Sequence, residues 1–291
     1  MPEGPEVETI RRGLELGIVG QKIAGLEVLW DGSFVVPEDE RQRWLIGATV
    51  THVERHGKVL VLRLDNGRAL LFHLKMTGQV VLEKADGERF AGGHPSESMA
   101  SGLPDRSTRV VFEFETGDRM YFNDQRKFGW IKLVAAAEVM RDALVARLGP
   151  EALSDGFNVT YLAEQLQRHA KAPVKAVILD QSTVAGIGNI YADESLHLAR
   201  IHPARLAGSL TPGEVKRLHA AIREIMALGI EHGGTSFAHY VNSLGGKGDY
   251  LEHARVFRRQ GQPCPVHPET LVQKIRVAGR GTHICPKCQK I

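Results

Sequence analysis

Two carboxylates and two prolines crowd the first six residues, Met1-Pro2-Glu3-Gly4-Pro5-Glu6, and this set could carry covalent amine chemistry. Once Met1 is removed, Pro2 offers a free secondary amine with Glu3 as its immediate neighbour. A nucleophile then stands beside a group able to move protons. The same acids fall at the start of an expected amphipathic helix. Pro5 suits its first turn, Val7, Ile10 and Leu14 give the apolar stripe, and Gly17 and Gly20 end it. The positive end of a helix favours negative charge, so Glu3 and Glu6 taken by themselves read better as helix-start decoration. A secretory or organellar leader would show a basic then apolar run, or Arg and Ser without acids. The start is therefore expected to be mature structure.

A second set of reactive side chains lies at the other end. Cys264-Pro265-Val266-His267 and Cys285-Pro286-Lys287-Cys288 form C-x₂-H and C-x₂-C pairs with 17 residues between them. Two such knuckles bring four donors to a tetrahedral point, as Zn²⁺ prefers. Four protein donors leave no position for water, so one zinc here would be structural. The segment between, including Val272 to Val277, is expected to form a hairpin too small to hold itself without metal. His283 is a competing donor, and three free thiols with an unrelated histidine is the alternative that the paired spacing weighs against. All three cysteines lie in the last 28 of the 291 residues. That placement argues against a secreted disulfide framework and fits an intracellular, cytoplasmic chain.

Charge is uneven along the sequence. The net charge is only +3, yet residues 1–50 hold five Lys/Arg against nine Asp/Glu, and residues 251–291 hold eight Lys/Arg against two Glu. So basic an end suits a polyanion, most simply nucleic acid, or else a solvated charged face; charge alone leaves both open. Apolar residues make up 43%, ordinary for a globular protein. No apolar run approaches the length of a membrane span, so no membrane partner is expected.

The elements that must position these groups change character along the chain. From about Lys22 to Val134 the pattern is of short strands. Val59–Leu64 breaks at Asp65-Asn66-Gly67 and resumes at Ala69–Phe72, and Val110–Phe114 breaks at Thr116-Gly117-Asp118 and resumes at Met120–Phe122. Both read as hairpins, and several such units with the first helix packed on them predict a β-sandwich. Residues 85–107, polar and rich in Gly, Ser and Pro, read as a long surface loop. Beyond Ala135 the pattern is helical, with Ala135–Leu148 as a linker into the first helix, stopped at Gly149-Pro150. Thr211-Pro212-Gly213-Glu214 opens a helix with a buried stripe of Val215, Leu218, Ile222 and Ile225, closed by Gly233-Gly234. Between the helices, Gly186-Ile187-Gly188-Asn189 is a tight turn into a helix, either a phosphate seat or a packing turn.

Taken in order, several stretches resemble the formamidopyrimidine-DNA glycosylase and endonuclease VIII family of base-excision repair enzymes. They are the Pro-Glu-Gly-Pro-Glu start, His56-Gly57-Lys58, His73-Leu74-Lys75-Met76-Thr77-Gly78, Asp124-Gln125-Arg126-Lys127-Phe128-Gly129, Gly186-Ile187-Gly188-Asn189-Ile190-Tyr191-Ala192 and the terminal cysteine pairs. The resemblance spans the whole chain, and residues 7–15 look like the formamidopyrimidine branch.

It implies an α+β protein with an N-terminal helix and β-sandwich (1–134), a helix–two-turns–helix domain (135–250) and a zinc-finger hairpin (251–291). It implies a bifunctional glycosylase and lyase in which Pro2 attacks C1′ of the damaged nucleotide, Glu3 transfers protons and Glu6 supports the site. Lys58 would lie at the phosphate and damaged base. The base would be flipped out, with Met76, Arg126 and Phe128 filling the gap and Arg126 reading the orphan cytosine. Lys175, Asn189 and Arg280 would grip phosphates, and Cys264, His267, Cys285 and Cys288 would hold zinc. The expected partner is duplex DNA with an oxidised base or abasic site, bound by a monomer at the bacterial nucleoid.

Three features depart from the family pattern. His267 stands for the usual second finger cysteine, Gln125 for the usual loop proline, and the 85–107 stretch looks longer than usual. The Gly-rich residues 235–250 would cover the flipped base. Two other readings stay open: an endonuclease VIII-like enzyme for oxidised pyrimidines, and a non-catalytic DNA-binding homologue.

Overall fold

A computed structural model describes residues 2–94, 102–235 and 248–291. The chain divides into two compact units, one of residues 1–146 and 232–249 and one of residues 147–231 and 250–291.

The first unit is built on two antiparallel sheets. Strands β1 (Ile23–Val28), β5 (Gly78–Glu83), β6 (Arg89–Gly93), β7 (Thr108–Phe114) and β8 (Arg119–Asp124) form one sheet in the order β1-β7-β8-β5-β6. Strands β2 (Val50–His56), β3 (Val59–Leu64), β4 (Arg68–His73) and β9 (Trp130–Ala135) form the other in the order β2-β3-β4-β9. Alternation along β3 shows how they close on each other. Leu60, Leu62 and Leu64 join the central core, whereas Val59 and Val61 pack on the opposite face with Val139 and Val145. Burial on both faces is why this strand reads as a continuous apolar run. Phe72, Phe112 and Phe122 meet in the middle, with ring centroids 6.0 Å apart from Phe72 to each partner, in the tilted and edge-on arrangements that aromatic quadrupoles favour.

Helix α1 (Gly4–Ile18) packs against β2 and β6, the edge strands of the two sheets. Its stripe of Val7, Ile10, Leu14 and Ile18 is buried in the same core. Both expected hairpins are present as β3–β4 and β7–β8. Two features differ from the sequence reading. Strand β6 lies inside the stretch read as loop, pairing with β5 through the turn at Gly87 (φ 91°) and burying Phe90 where Gly13 of α1 leaves room for the ring. Polar composition masked this strand, because its one large apolar side chain is buried by a helix 77 positions earlier in sequence. Helix α2 (Glu38–Leu45) also went unread; it buries only Leu45, so it has no apolar periodicity.

The second unit is helical, with α3 (Val159–Arg168), α4 (Val174–Leu179), α5 (Asn189–Leu198), α6 (Pro212–Glu231) and the short α7 (Tyr250–His253). Residues 135–148, read from sequence as a linker, carry two short 3₁₀ turns at Ala136–Arg141 and Val145–Arg147. Thr211 and Glu214 cap α6 reciprocally: Glu214 accepts the Thr211 N–H at 2.8 Å, and the Thr211 hydroxyl accepts the Glu214 N–H at 3.3 Å. Arg205 and Thr211 hold the Glu214 carboxyl down at about 2. Helix α5 is buried from Ile190 to His197. The hairpin β10 (Gln273–Val277) and β11 (Arg280–Ile284) turns at Ala278-Gly279, both left-handed with φ 48° and 74°, as a two-residue type I′ turn requires. No helix among the described residues is long and apolar enough to cross a membrane.

Candidate active site and zinc cluster

Pro2 is buried ahead of α1, and Glu3 and Glu6 behind it are only 2% and 4% exposed. Glu3 is the N-cap of the helix and Glu6 its third residue, and the two close a capping box. In it the Glu6 carboxylate accepts the Glu3 N–H at 2.8 Å. The other Glu6 oxygen accepts the Thr235 N–H at 2.8 Å and the Thr235 hydroxyl at 3.1 Å. A buried carboxylate survives only with such donors, and here they tie the peptide after Pro2 to a segment 229 positions away. Gly234 lies at φ 78°, and a Cβ on it would stand 2.7 Å from Glu6 Oε1. Glycine is needed there for both conformation and space. Residues 236–247, most of the segment expected to cover a flipped base, lie outside the described residues.

A second network links the same helix to the turn that carries Lys58. Glu8 accepts bonds from Arg11, Arg12 and Arg55 at 3.0–3.1 Å. Arg55 also donates to the Gly57 carbonyl at 2.7 Å. Burial would raise the Glu8 carboxyl, but Arg11 and Arg55 outweigh it and pull it below the usual range. Gly57 (φ 57°) and Lys58 form the two-residue turn between β2 and β3, and Lys58 is 9% exposed. His73, paired across the sheet with Val59, was given no role from sequence. Burial pushes its pKa down to about 4, with Lys75 and Lys58 adding to the effect. It is therefore neutral at pH 7, and its Nδ1 accepts the Lys75 N–H at 3.0 Å. Its signal was available, since it opens the His73–Gly78 motif.

Met76, Arg126 and Phe128 sit on two turns joined through one carboxylate. Asp124, at 0% exposure, accepts the N–H groups of Arg126 at 3.2 Å, Phe128 at 2.7 Å and Gly129 at 2.6 Å, and the Thr77 hydroxyl. Thr77 in turn accepts the Arg126 N–H at 3.1 Å. The Asp124 carbonyl takes the Arg109 guanidinium at 2.8 Å. These bonds hold the loop without the proline that Gln125 replaces. Phe128 and Met76 stay 53% and 40% exposed. Neither side chain is drawn into the core. Arg126 lies over the Phe128 ring at 4.7 Å, and Lys127, at φ 58°, lies over exposed Trp30 at 3.7 Å.

In the second unit, Cys264, His267, Cys285 and Cys288 place their four donor atoms within 4.8 Å of one another. Cys264 Sγ lies 3.7 Å from Cys288 Sγ, and His267 Nδ1 lies 3.1 Å from Cys288 Sγ. Burial and the adjacent Cys285 and Cys264 sulfurs push the Cys288 thiol up to about 12. Three sulfurs so close cannot all ionise without a cation between them, and Zn²⁺ suits this donor set. His283 is committed elsewhere: its N–H donates to Asp193 at 2.8 Å, and its ring Nδ1 lies 3.2 Å from the same carboxylate.

Of the three expected phosphate contacts, two have a polar group near the surface. Arg280 is exposed on the hairpin turn, and Asn189 begins α5 with its side-chain amide donating to the Gly281 carbonyl at 3.0 Å. Lys175 needs correction. It is 0% exposed, and its ammonium donates to Asp193 at 2.6 Å, Thr282 at 2.7 Å and the Gly281 carbonyl at 3.4 Å. With its donors spent inside the protein, it braces β11 against α5 and does not face a phosphate.

Residues 1–131 match the formamidopyrimidine-DNA glycosylase N-terminal domain, 148–240 the H2TH domain of the same enzymes, and 269–291 the zinc finger found in FPG and IleRS. A formamidopyrimidine-DNA glycosylase from Symbiobacterium thermophilum is 42% identical, covering 100% of this chain and 90% of its own. The chain belongs to the formamidopyrimidine-DNA glycosylase family. Solved structures agree. The Lactococcus lactis enzyme in complex with abasic-site DNA is 33% identical, with a TM-score of 0.87 over 99% of this chain and 100% of that one. Its complex with DNA containing N7-benzyl-Fapy-dG is likewise 33% identical, with a TM-score of 0.87 over all of both chains. The chain is thus a DNA glycosylase of base-excision repair with a zinc-finger domain.

Two outcomes test this geometry. Gly234→Ala should displace Glu6 and lower excision kcat/KM on the order of 100-fold; parent-like kinetics would show that the Glu6 contact does not set the site. His73 has a folded pKa of about 4 against about 6.5 unfolded, so the unfolded chain binds the proton first as pH falls. Its contribution is complete above pH 6.5 and is lost on the way to pH 4, with a loss of about 2 kcal/mol by pH 5. Chemical denaturation at pH 7 and pH 5 should show that His73→Phe removes this part of the pH dependence.

Proposed function

We propose that this glycosylase is also a lyase, and that it removes oxidised purines, 8-oxoguanine opposite cytosine and formamidopyrimidines, through the amine of Pro2. The observation that carries this reading is the clamp on the peptide after Pro2: the Glu6 carboxylate holds the Glu3 N–H and Thr235 together. It keeps a buried, pre-positioned amine beside Glu3 once Met1 is gone. Positioning of this kind can supply several kcal/mol of a barrier.

The Pro2 nitrogen attacks C1′, the C1′–N bond to the base breaks, and the base leaves with a proton. Opening of the sugar ring gives an iminium joining Pro2 to C1′, and Glu3 shuttles protons to and from the sugar. The iminium accepts the electron pair left when C2′ loses a proton. The 3′ phosphate departs by β-elimination and the 5′ phosphate by δ-elimination, and water then releases Pro2. Lys58 neutralises phosphate charge near the reacting sugar. Met76 and Phe128 fill the space of the flipped nucleotide, and Arg126 donates to the orphan cytosine. Their exposure on loops pinned by Asp124 supports this. Asn189 and Arg280 contact phosphates, so affinity should be strongly salt dependent. One structural zinc ion, held by Cys264, His267, Cys285 and Cys288, keeps the hairpin folded, and the protein acts as a monomer. The abasic-site and formamidopyrimidine DNA bound to the Lactococcus lactis relatives supports this substrate class.

Borohydride trapping on duplexes with 8-oxoguanine opposite cytosine, thymine glycol and an abasic site tests the reading. Covalent adducts are expected with the first and third and little with the second. Adduct on thymine glycol but not 8-oxoguanine would reassign the enzyme to oxidised pyrimidines, and no adduct on any would remove the lyase.

A further inference from the structure

We infer that His197 secures the finger by donating its Nε2–H to the sulfur of Cys264, which rests on the zinc reading above. His197 lies near the end of α5, far from the cysteine pairs in sequence, and is 2% exposed. Its Nε2 is 3.5 Å from Cys264 Sγ, and its Nδ1 is buried with no hydrogen-bond partner among the described residues.

The chemistry fixes the direction of that bond. Cys264 binds zinc as a thiolate and has no proton to give, so the ring nitrogen must be the donor. The neutral imidazole then carries its hydrogen on Nε2 and leaves Nδ1 as a bare lone pair. Burying an unmet acceptor is less damaging than burying an unmet N–H. Cys264 Sγ also accepts the Val266 N–H at 3.4 Å, so two N–H groups spread its negative charge. An imidazole costs free energy to bury unless it finds a partner, and Cys264 is the partner in reach. His197 is not among the four donors that cluster within 4.8 Å, which makes it a positioning residue for the metal and not a ligand.

Besides Asn189, which donates to the Gly281 carbonyl, the same helix holds this module through two acids. Asp193 takes the His283 N–H, and Glu194 accepts the N–H groups of Arg255, Val256 and Phe257 at 2.7–2.9 Å. His197 is the one that reaches the metal cluster itself.

The test is zinc release to excess chelator from the full-length protein, with His197→Phe and His197→Gln beside the parent. Groups that hold metal ligands in this way change metal affinity by roughly 10–100-fold, and the Phe variant should lose zinc faster by about that factor. The Gln variant, which keeps an N–H donor, should recover much of the difference. Nitrogen-15 spectra of the unmutated zinc protein should show His197 neutral and protonated at Nε2. Equal release rates for parent and Phe variant, or a His197 proton on Nδ1, would overturn the inference. Full zinc retention in His267→Ala together with none in His197→Phe would make His197 the fourth ligand instead. A parent protein that binds no zinc would overturn the metal site itself.

Discussion

The buried carboxylate of Glu6 holds the start of this protein in shape. It takes an N–H from the chain before it and an N–H and a hydroxyl from Thr235. At 4% exposure it has little water to fall back on, so those three bonds must be kept. That need dictates the left-handed glycine at 234 and fixes Glu3 as the N-cap of α1. Glu8, two residues beyond Glu6, then meets Arg55, and Arg55 reaches the Gly57 carbonyl beside Lys58. Two carboxylates on one helix thus register the amine end and the lysine turn within the same unit.

Buried acids do comparable work in the other unit. Asp193 joins Lys175 and His283, and Glu194 gathers three consecutive backbone N–H groups. Asp124 does the same for the loop that carries Arg126 and Phe128. At Glu194 and Asp124 a carboxylate with several donors replaces regular secondary structure in a segment that has none. Such sites are expensive to break, because removing one partner strands a charge in a poorly solvated place. They give short loops, including the one that exposes Phe128, a defined pose.

Much of this was legible in the sequence wherever the cause is local. Turn residues announced the β3–β4 and β7–β8 hairpins, Thr211 and Glu214 announced the α6 cap, and the spacing of Cys264, His267, Cys285 and Cys288 announced a four-donor cluster. What could not be read depends on distant partners. Phe90 becomes a strand residue because Gly13 leaves it room, and the Glu38–Leu45 helix has a single buried residue to signal it. Lys175, which the resemblance implies at a phosphate, is instead enclosed by Asp193 and Thr282. His197 has no pattern around it at all, since its partner is 67 positions away.

The proposed reacting nitrogen belongs to the backbone of Pro2, kept in place through Glu6, and to no side chain. Tandem mass spectrometry of the borohydride-reduced adduct with abasic DNA locates that nitrogen directly. The account predicts the sugar remnant on an N-terminal peptide that begins at Pro2, with Met1 absent. A remnant on Lys58 or any other lysine, with the Pro2 peptide unmodified, would contradict it.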